Sequence, residues 1–296
     1  MKLSREKLFC YSFILPTFIF YSIFFLFPIL HAFYISFFRW SGLSNRMTFV
    51  GLNNFIRLFQ DEVILSSMLH NLFLLFVVSV FTFILAMFFA SVIARSNYKE
   101  VGIYRVIYLF PNILSIVVIS IIWMFIYNPS IGIVNALLKQ LHLDCLIKVW
   151  LGDPKTVLGA LAVPVIWMQT GFYTILYLSG MQNVPESLYE AAQLEGAKPV
   201  RQFFQITIPL IWEIIKSSLI FFVTHSFNLT FALVLVTTKG GPFRSSELLT
   251  TYLYEQAFEF SDFGYGTAIG ILVFALMMLL VGITQFISGK KEVVTY

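Results

Sequence analysis

Six long stretches of the chain contain no Asp, Glu, Lys or Arg and consist mainly of apolar residues. They cover residues 8–38, 63–94, 106–138, 156–185, 217–238 and 263–289. Each exceeds the roughly 20 residues that an α-helix needs to cross about 30 Å of hydrocarbon. The apolar runs are continuous, whereas the strands of a membrane β-barrel alternate, so the pattern predicts six transmembrane helices. These are expected at about 8–31, 72–94, 106–127, 157–180, 217–237 and 267–287.

The composition agrees with a membrane protein. Hydrophobic residues make up 59% of the 296 residues and charged residues 11%, against about 25% charged residues in soluble domains. Mean hydropathy is +0.86. The first stretch follows a basic N-terminus, but it is about twice as long as the apolar region of a cleaved signal peptide and lacks a small-x-small site. We therefore predict a retained membrane anchor.

The distribution of Lys and Arg predicts the side of the membrane on which each connection lies. These residues are somewhat denser at the N-terminus, in connections 95–105 and 186–216, and in the tail. Because basic residues favour the cytoplasmic side, both termini are predicted to be cytoplasmic. Cys10 and Cys145 would then lie near opposite membrane faces and could not form a disulfide with each other. The net charge of +4 is explained by this topology, and no nucleic-acid partner is expected.

The longest charged passage reads ESLYEAAQLEGAKPVRQFFQITIPL, Glu186 to Leu210. Asn183 is expected to cap a helix whose first turn includes Pro185. Gly196 is expected to end that helix, and Pro199 to begin a second one. The first helix would present a narrow face of mostly small residues, formed by Leu188, Ala191, Ala192 and Glu195. The passage therefore predicts a helix–turn–helix at the cytoplasmic membrane surface.

Two interpretations of this helix–turn–helix are open on physical grounds: an ordinary amphipathic surface helix, or a docking surface for another protein. Interfacial helices usually carry Lys-rich polar faces and bulky apolar faces. This passage is instead acidic, rich in small residues and interrupted by glycine. Its composition favours docking, with Glu190, Glu195 and Arg201 offering directional polar contacts.

The spacing of this passage resembles a motif of a known transporter family. Glu190-Ala191-Ala192, three residues, Gly196, nine residues and Ile206-Thr207-Ile208-Pro209 are similar to the E-A-A-x3-G-x9-I-x-L-P loop of ABC importer permeases. Ile208 replaces the usual Leu, and Glu195 stands where Asp is common. Other stretches resemble the carbohydrate-uptake branch of that family: FVGLNNF (49–55), WLGDP (150–154), TTKGGP (237–242) and YLYEQAFEFSDFGYGTA (252–268).

This resemblance implies an architecture. It is an all-α polytopic membrane protein with six transmembrane helices in the type I ABC importer permease fold. Residues 183–210, hereafter the coupling loop, would be its cytoplasmic coupling helix-turn-helix. The resemblance also implies an N-terminal span with an extracytoplasmic hairpin over 1–68. A transporter transmembrane domain would follow over 69–290, and a cytoplasmic tail over 291–296.

The resemblance also implies partners in a prokaryotic cell membrane: a second homologous permease, two ATPase subunits and an extracytoplasmic solute-binding protein. In such importers the coupling helices sit in a cleft of the ATPase and transmit its closing and opening. No G-x-x-x-x-G-K-[ST] occurs in this chain, so ATP would be bound by the partners, and no cofactor or catalytic residue is expected here. The expected coupling residues are Glu190, Ala191, Ala192, Glu195, Gly196 and Arg201.

Polar and aromatic residues within the apolar stretches are candidates for contact with the solute, because unpaired polar groups are costly in hydrocarbon. They are Trp123, Trp167, Gln169, Tyr173, His225 and Asn228. For each of them, bonding to a neighbouring helix or membership of an interfacial aromatic belt is an open alternative. The six apolar stretches contain no Asp, Glu, Lys or Arg, which favours a neutral sugar or oligosaccharide as the transported solute. Glycerol 3-phosphate or another polyol is the alternative cargo.

Two other functional classes require features that differ from those of this sequence. A stand-alone secondary carrier or channel predicts intramembrane charges and inverted repeats, and neither is evident in the sequence. A membrane-embedded enzyme requires clustered His, Asp or Glu at the membrane face, whereas the four His residues are scattered. No metal site is predicted for the same reason.

Overall fold

The computed structural model describes residues 5–43, 46–94 and 101–288, in which most residues are helical. The helices are α1 Arg5–Tyr21, α2 Phe27–Ile35, α3 Asn53–Gln60, α4 Glu62–Ala94, α5 Val101–Ile113, α6 Ile116–Ile126, α7 Ile133–Gln140, α8 Val157–Gln182, α9 Glu186–Leu194, α10 Pro199–Gln202, α11 Ile208–Leu210, α12 Trp212–Thr237, α13 Leu249–Tyr254 and α14 Phe263–Ser288. Three π-helical segments occur at Ser22–Leu26, Phe203–Thr207 and Glu255–Glu259, and a 3₁₀ turn at Asp144–Leu146. Strands β1 Phe38–Arg39 and β2 Thr48–Phe49 form an antiparallel pair with Phe38 opposite Phe49.

Five helices in the described part of the chain are long and apolar enough to cross a membrane. The first is Tyr11–Ile35, which joins most of α1, the first π-helical segment and α2. The other four are Glu62–Ala94, Val157–Gln182, Trp212–Thr237 and Phe263–Phe286. The third predicted span is different, because α5 and α6 meet at an angle of 94°. With this bent pair counted as one span, the number of spans is the predicted six.

The third predicted span, at about 106–127, is therefore not one straight helix. Ser115 has an extended backbone (φ −61°, ψ 139°) and separates α5 from α6. Pro111 lies inside α5, where its missing N–H removes one helical hydrogen bond and weakens the turn before the break. The chain can therefore change direction inside an otherwise apolar stretch.

By packing, the chain forms two compact units. Among the described residues, the first unit lies within 1–64 and 252–274, and the second within 65–251 and 275–296. In the first unit, the side-chain amide of Asn54 donates to the carbonyls of Ser36 (2.8 Å) and Phe38 (3.0 Å), which fixes the β1 end of the hairpin on α3. The predicted division at residue 68 stays a prediction.

A charged network also stabilises the first unit. Asp61 Oδ2 accepts hydrogen bonds from the hydroxyls of Tyr252 (2.6 Å) and Tyr265 (2.7 Å). Arg57 pairs with Asp262 at 2.7 Å and lies 3.7 Å from the centre of the Tyr265 ring. Burial alone would raise the pKa of the Asp61 carboxyl. The two tyrosine hydroxyls, the Val63 amide and Arg57 together hold that pKa below its ordinary value.

Asp61→Asn is expected to destabilise the protein at neutral pH by about 1–3 kcal/mol, because the buried hydroxyls lose a charged acceptor. Since the folded pKa is lowered, this stabilisation is fully present above the ordinary value of 3.8 and is lost as the pH falls through the folded value. Thermal unfolding of the purified protein should show a lower Tm for the variant at pH 7 and a smaller difference in acid. Exposed Asp144→Asn is the control. An equal loss of Tm at both pH values would show that the charge of the Asp61 carboxylate does not stabilise the protein.

In the second unit, α8 is the central helix. Of the 18 residues that form the most apolar part of α8, 67% are buried. The corresponding shares are 22% for α4 and 39% for α12. Tyr173 and Tyr177 of α8 are fully buried, and Phe83 of α4 and Phe222 of α12 pack on them. At Gly171, a Cβ atom would overlap the backbone carbonyl of Tyr108, so α5 approaches α8 more closely than a side chain would allow. The core therefore lies on α8.

Candidate functional site

The first helix of the coupling loop begins later than its predicted cap. Asn183 caps the C-terminus of the preceding helix α8, where its N–H bonds to the carbonyl of Gly180 at 3.2 Å. The prediction that Asn183 caps the next helix is therefore wrong, because α8 occupies the chain as far as Gln182. Pro185 occupies the capping position of α9 without a side-chain cap, and Glu186 is in the first turn.

The end of α9 is formed as the sequence predicts. Gly196 has a left-handed backbone with φ +80°. Its N–H bonds to the carbonyl of Gln193 at 2.9 Å, and the N–H of Ala197 bonds to the carbonyl of Ala192 at 2.8 Å. This pair of bonds is a Schellman motif, which requires a residue that tolerates positive φ. The second helix, α10, begins at Pro199 as predicted.

The predicted coupling residues lie at the surface. Helix α9 contains no buried residue, and the side chains of Glu190, Ala191 and Glu195 are exposed, as is Gly196. Ala192 is half-buried. These five residues belong to the second half of α9 and the turn that ends it. Arg201 is also exposed, but it belongs to α10, and its Nε donates to Gln205 Oε1 at 2.8 Å.

Three apolar residues of the coupling loop are unusually exposed. Leu194, the last residue of α9, is 90% exposed, and Val200 and Phe204 are 69% and 61% exposed. Leu194 was missed by the sequence reasoning, although a Leu beside the helix-ending Gly196 in an acidic passage is a recognisable signal. Phe203, by contrast, packs against the core. The coupling loop therefore presents both acidic and apolar groups.

Two of the six candidates for solute contact lie in the core. Gln169 is 2% exposed, and its Oε1 accepts a hydrogen bond from Asn112 at 3.3 Å. Tyr173 is fully buried between Phe83 and Phe222. Both lie on inward faces of the central helix α8, and Gln169 bonds the neighbouring helix α5. Solute contact by these two residues stays a prediction.

The other four candidates lie in two places. Trp123 and Trp167 form an edge-on pair with ring centres 6.1 Å apart, and Trp167 is 40% exposed. The indole N–H of Trp123 has no hydrogen-bond partner among the described residues. On α12, His225 stacks on Phe221 at 5.4 Å, and both His225 and Asn228 are exposed.

His225 and Asn228 belong to a longer exposed face of α12, hereafter the polar stripe. Its members are Ser217, Phe221, Thr224, His225 and Asn228. They recur at helical spacing, so they share one face of the helix. Ser217 and Thr224 were missed when single polar residues were considered, although the helical period could have identified them. A polar face is costly in hydrocarbon, so this one requires water or another protein.

The chain belongs to the family described as "Binding-protein-dependent transport system inner membrane component", whose model matches residues 8–292. It is thus a permease subunit of an ABC importer.

Relatives match along most of their length. The chain is 32% identical over 292 residues to the probable ABC transporter permease protein YurN of Bacillus subtilis, covering 98% of this chain and 99% of the relative. It is 30% identical to the diacetylchitobiose uptake system permease protein NgcF of Streptomyces coelicolor, covering 88% and 78% of the two chains.

A solved structure has the same fold. In a bacterial ABC transporter that imports the acidic polysaccharide alginate, one chain matches with a TM-score of 0.84 and 23% identity, over 99% of this chain and 98% of that chain. The predicted type I ABC importer permease fold is confirmed.

Proposed function

We propose that this chain forms half of the path for a neutral sugar or oligosaccharide in an ATP-driven importer. The observation that carries the proposal is the polar stripe of α12, an exposed row of hydroxyl, imidazole and amide groups without Asp, Glu, Lys or Arg. Sugars bind through amide and hydroxyl hydrogen bonds and through contact with aromatic rings, and Phe221, Trp123 and Trp167 supply such rings. The relative NgcF, named for diacetylchitobiose uptake, supports a carbohydrate cargo.

A second homologous permease would complete the path. The polar stripe is exposed on the membrane-spanning helix α12. A polar face is costly in hydrocarbon, so it fits a partner that shares a water-filled path with it.

ATP would be bound and hydrolysed by two separate ATPase subunits, so this chain itself would be non-catalytic and hold no cofactor. The coupling loop is an exposed acidic and apolar surface of the kind that such a subunit could hold. With this loop in the cytoplasm, both termini would be cytoplasmic as well. Movement of the ATPases would then alternate the path between its outward-facing and inward-facing states.

An extracytoplasmic solute-binding protein would deliver the sugar to the other side. The test is to purify the chain with a candidate partner permease, ATPases and binding protein from the same organism, and to measure ATP hydrolysis. We expect hydrolysis to rise when the sugar-loaded binding protein is added. A complex that never contains an ATPase would overturn the proposal.

Asn228→Leu is expected to raise the sugar concentration for half-maximal uptake about tenfold, because one amide's hydrogen bonds to the sugar are lost. Thr284→Val on α14 is the control outside the polar stripe, since the Thr284 hydroxyl donates to the Leu280 carbonyl at 2.8 Å within its own helix. Uptake at graded sugar concentrations, normalised to the amount of protein in the membrane, measures the effect. Equal values for both variants and the wild type would exclude Asn228 from the path.

A further inference from the structure

A hydrogen bond joins the coupling helix α9 to the segment that precedes α12. The hydroxyls of Tyr189 and Thr207 lie 2.8 Å apart. Tyr189 is half-buried on a helix that contains no buried residue, and Thr207 is 3% exposed. A partly buried hydrogen bond of this kind holds its two groups together more firmly than a fully exposed one.

The surroundings of this bond leave room for movement. Beside it lies a cleft of about 560 Å³, whose wall includes both Tyr189 and Thr207. Most of the other polar side chains that line it are uncharged: Ser91, Gln182, Gln193 and Gln202, with Glu186 as the acidic member. Because open space lies beside α9 at this place, tight apolar packing does not fix the helix here. The Tyr189–Thr207 bond therefore acts as a defined link at the edge of the cleft.

Thr207 occupies an irregular part of the backbone. It ends the π-helical segment Phe203–Thr207, and Pro209, two positions later, has no N–H to donate. Ile211 then departs from helical geometry (φ −97°, ψ 13°) immediately before α12 begins. π-Helical turns are frequent at functional sites, and a helix interrupted in this way can change direction more easily than a regular one. A displacement at Thr207 therefore acts where α12 can be reoriented.

We propose that the Tyr189 hydroxyl is a positioning group that transmits movement of α9 to α12. The inference rests on the proposed function, in which ATPase subunits move the coupling loop. The displacement passes from α9 through the Tyr189–Thr207 bond to the π-helical segment. From there it reaches α12 and its polar stripe, which faces the sugar.

Tyr189→Phe removes one hydroxyl and keeps the ring. In the full complex reconstituted in lipid vesicles, we expect the number of sugars taken up per ATP hydrolysed to fall about threefold to tenfold, the effect of one lost hydrogen bond. The ATPase subunits should still co-purify with the variant. Thr207→Val should give the same fall, whereas Thr207→Ser, which keeps the hydroxyl, should restore the ratio. Tyr11→Phe in the first span is the matched control.

The double variant separates this role from general support of the fold. If the two hydroxyls act through one bond, Tyr189→Phe with Thr207→Val should be no worse than the worse single variant. Multiplied effects, an unchanged ratio in Tyr189→Phe, or loss of the ATPase from that variant would each overturn the inference. Failure of the wild-type chain to assemble with an ATPase would instead contradict the proposed function itself.

Discussion

Glu190→Lys is expected to abolish ATP-driven uptake while the chain still folds and inserts into the membrane. The Glu190 side chain is exposed on α9 and makes no hydrogen bond or ion pair with another described residue. Its substitution therefore leaves the interior of this chain intact. At an interface, replacing one partner of a close charged contact costs about 2–5 kcal/mol, which is roughly a thirtyfold loss or more. The energy would be lost at the contact with the ATPase.

Glu186→Lys is the matched control, because Glu186 is an exposed acid in the first turn of the same helix. It reproduces the charge change without altering the E-A-A motif. Both variants should reach the membrane at wild-type levels, and only Glu190→Lys should fail to retain the ATPase during purification. Equal retention and equal uptake by the two variants would show that the motif does not couple this chain to ATP hydrolysis.

Gly171→Ala is expected to have the largest effect on stability. A Cβ atom there would overlap the carbonyl oxygen of Tyr108, which belongs to the backbone of α5 and cannot rotate away. The two helices would have to separate, although they pack along the fully buried face of α8. Overpacking of this kind typically costs about 1–3 kcal/mol and occasionally more. We expect a fall in Tm of at least about 5 °C.

The same helix provides the control. A Cβ at Gly159 would meet no atom within 4 Å, so Gly159→Ala should leave Tm unchanged or raise it through the higher helix propensity of Ala. Thermal unfolding of the two purified variants in one detergent measures the difference. Similar Tm values would mean that α5 and α8 do not approach as closely as described.

The elements that rest on strong local signals could be predicted from the sequence. Continuous charge-free stretches identified the spans, because hydrocarbon excludes charge along the whole length of a helix. Gly196 and Pro199 placed the turn of the coupling loop correctly, because each restricts the local backbone directly. The family motif then indicated the function of a surface whose physical properties alone allowed two interpretations.

The elements that depend on tertiary packing could not be predicted in this way. Asn is a residue type that favours the N-terminal cap of a helix. Asn183 does not cap α9 because α8 continues as far as Gln182. The bend at Ser115 lies in a stretch as apolar as the straight spans. Tyr173 and Trp167 look alike as aromatic residues of one helix, yet one is fully buried and the other is 40% exposed. The difference in burial between these two side chains depends on which neighbouring helices cover each face of α8.

The most direct test of the central claim is sugar uptake by vesicles that contain this chain, its partner permease and the ATPases. The radiolabelled sugar is supplied with the solute-binding protein on one side, and ATP is enclosed on the other side with the ATPases. We predict uptake only when binding protein, ATP and the wild-type coupling loop are all present. Uptake by this chain alone, driven by an ion gradient and independent of ATP, would contradict the account.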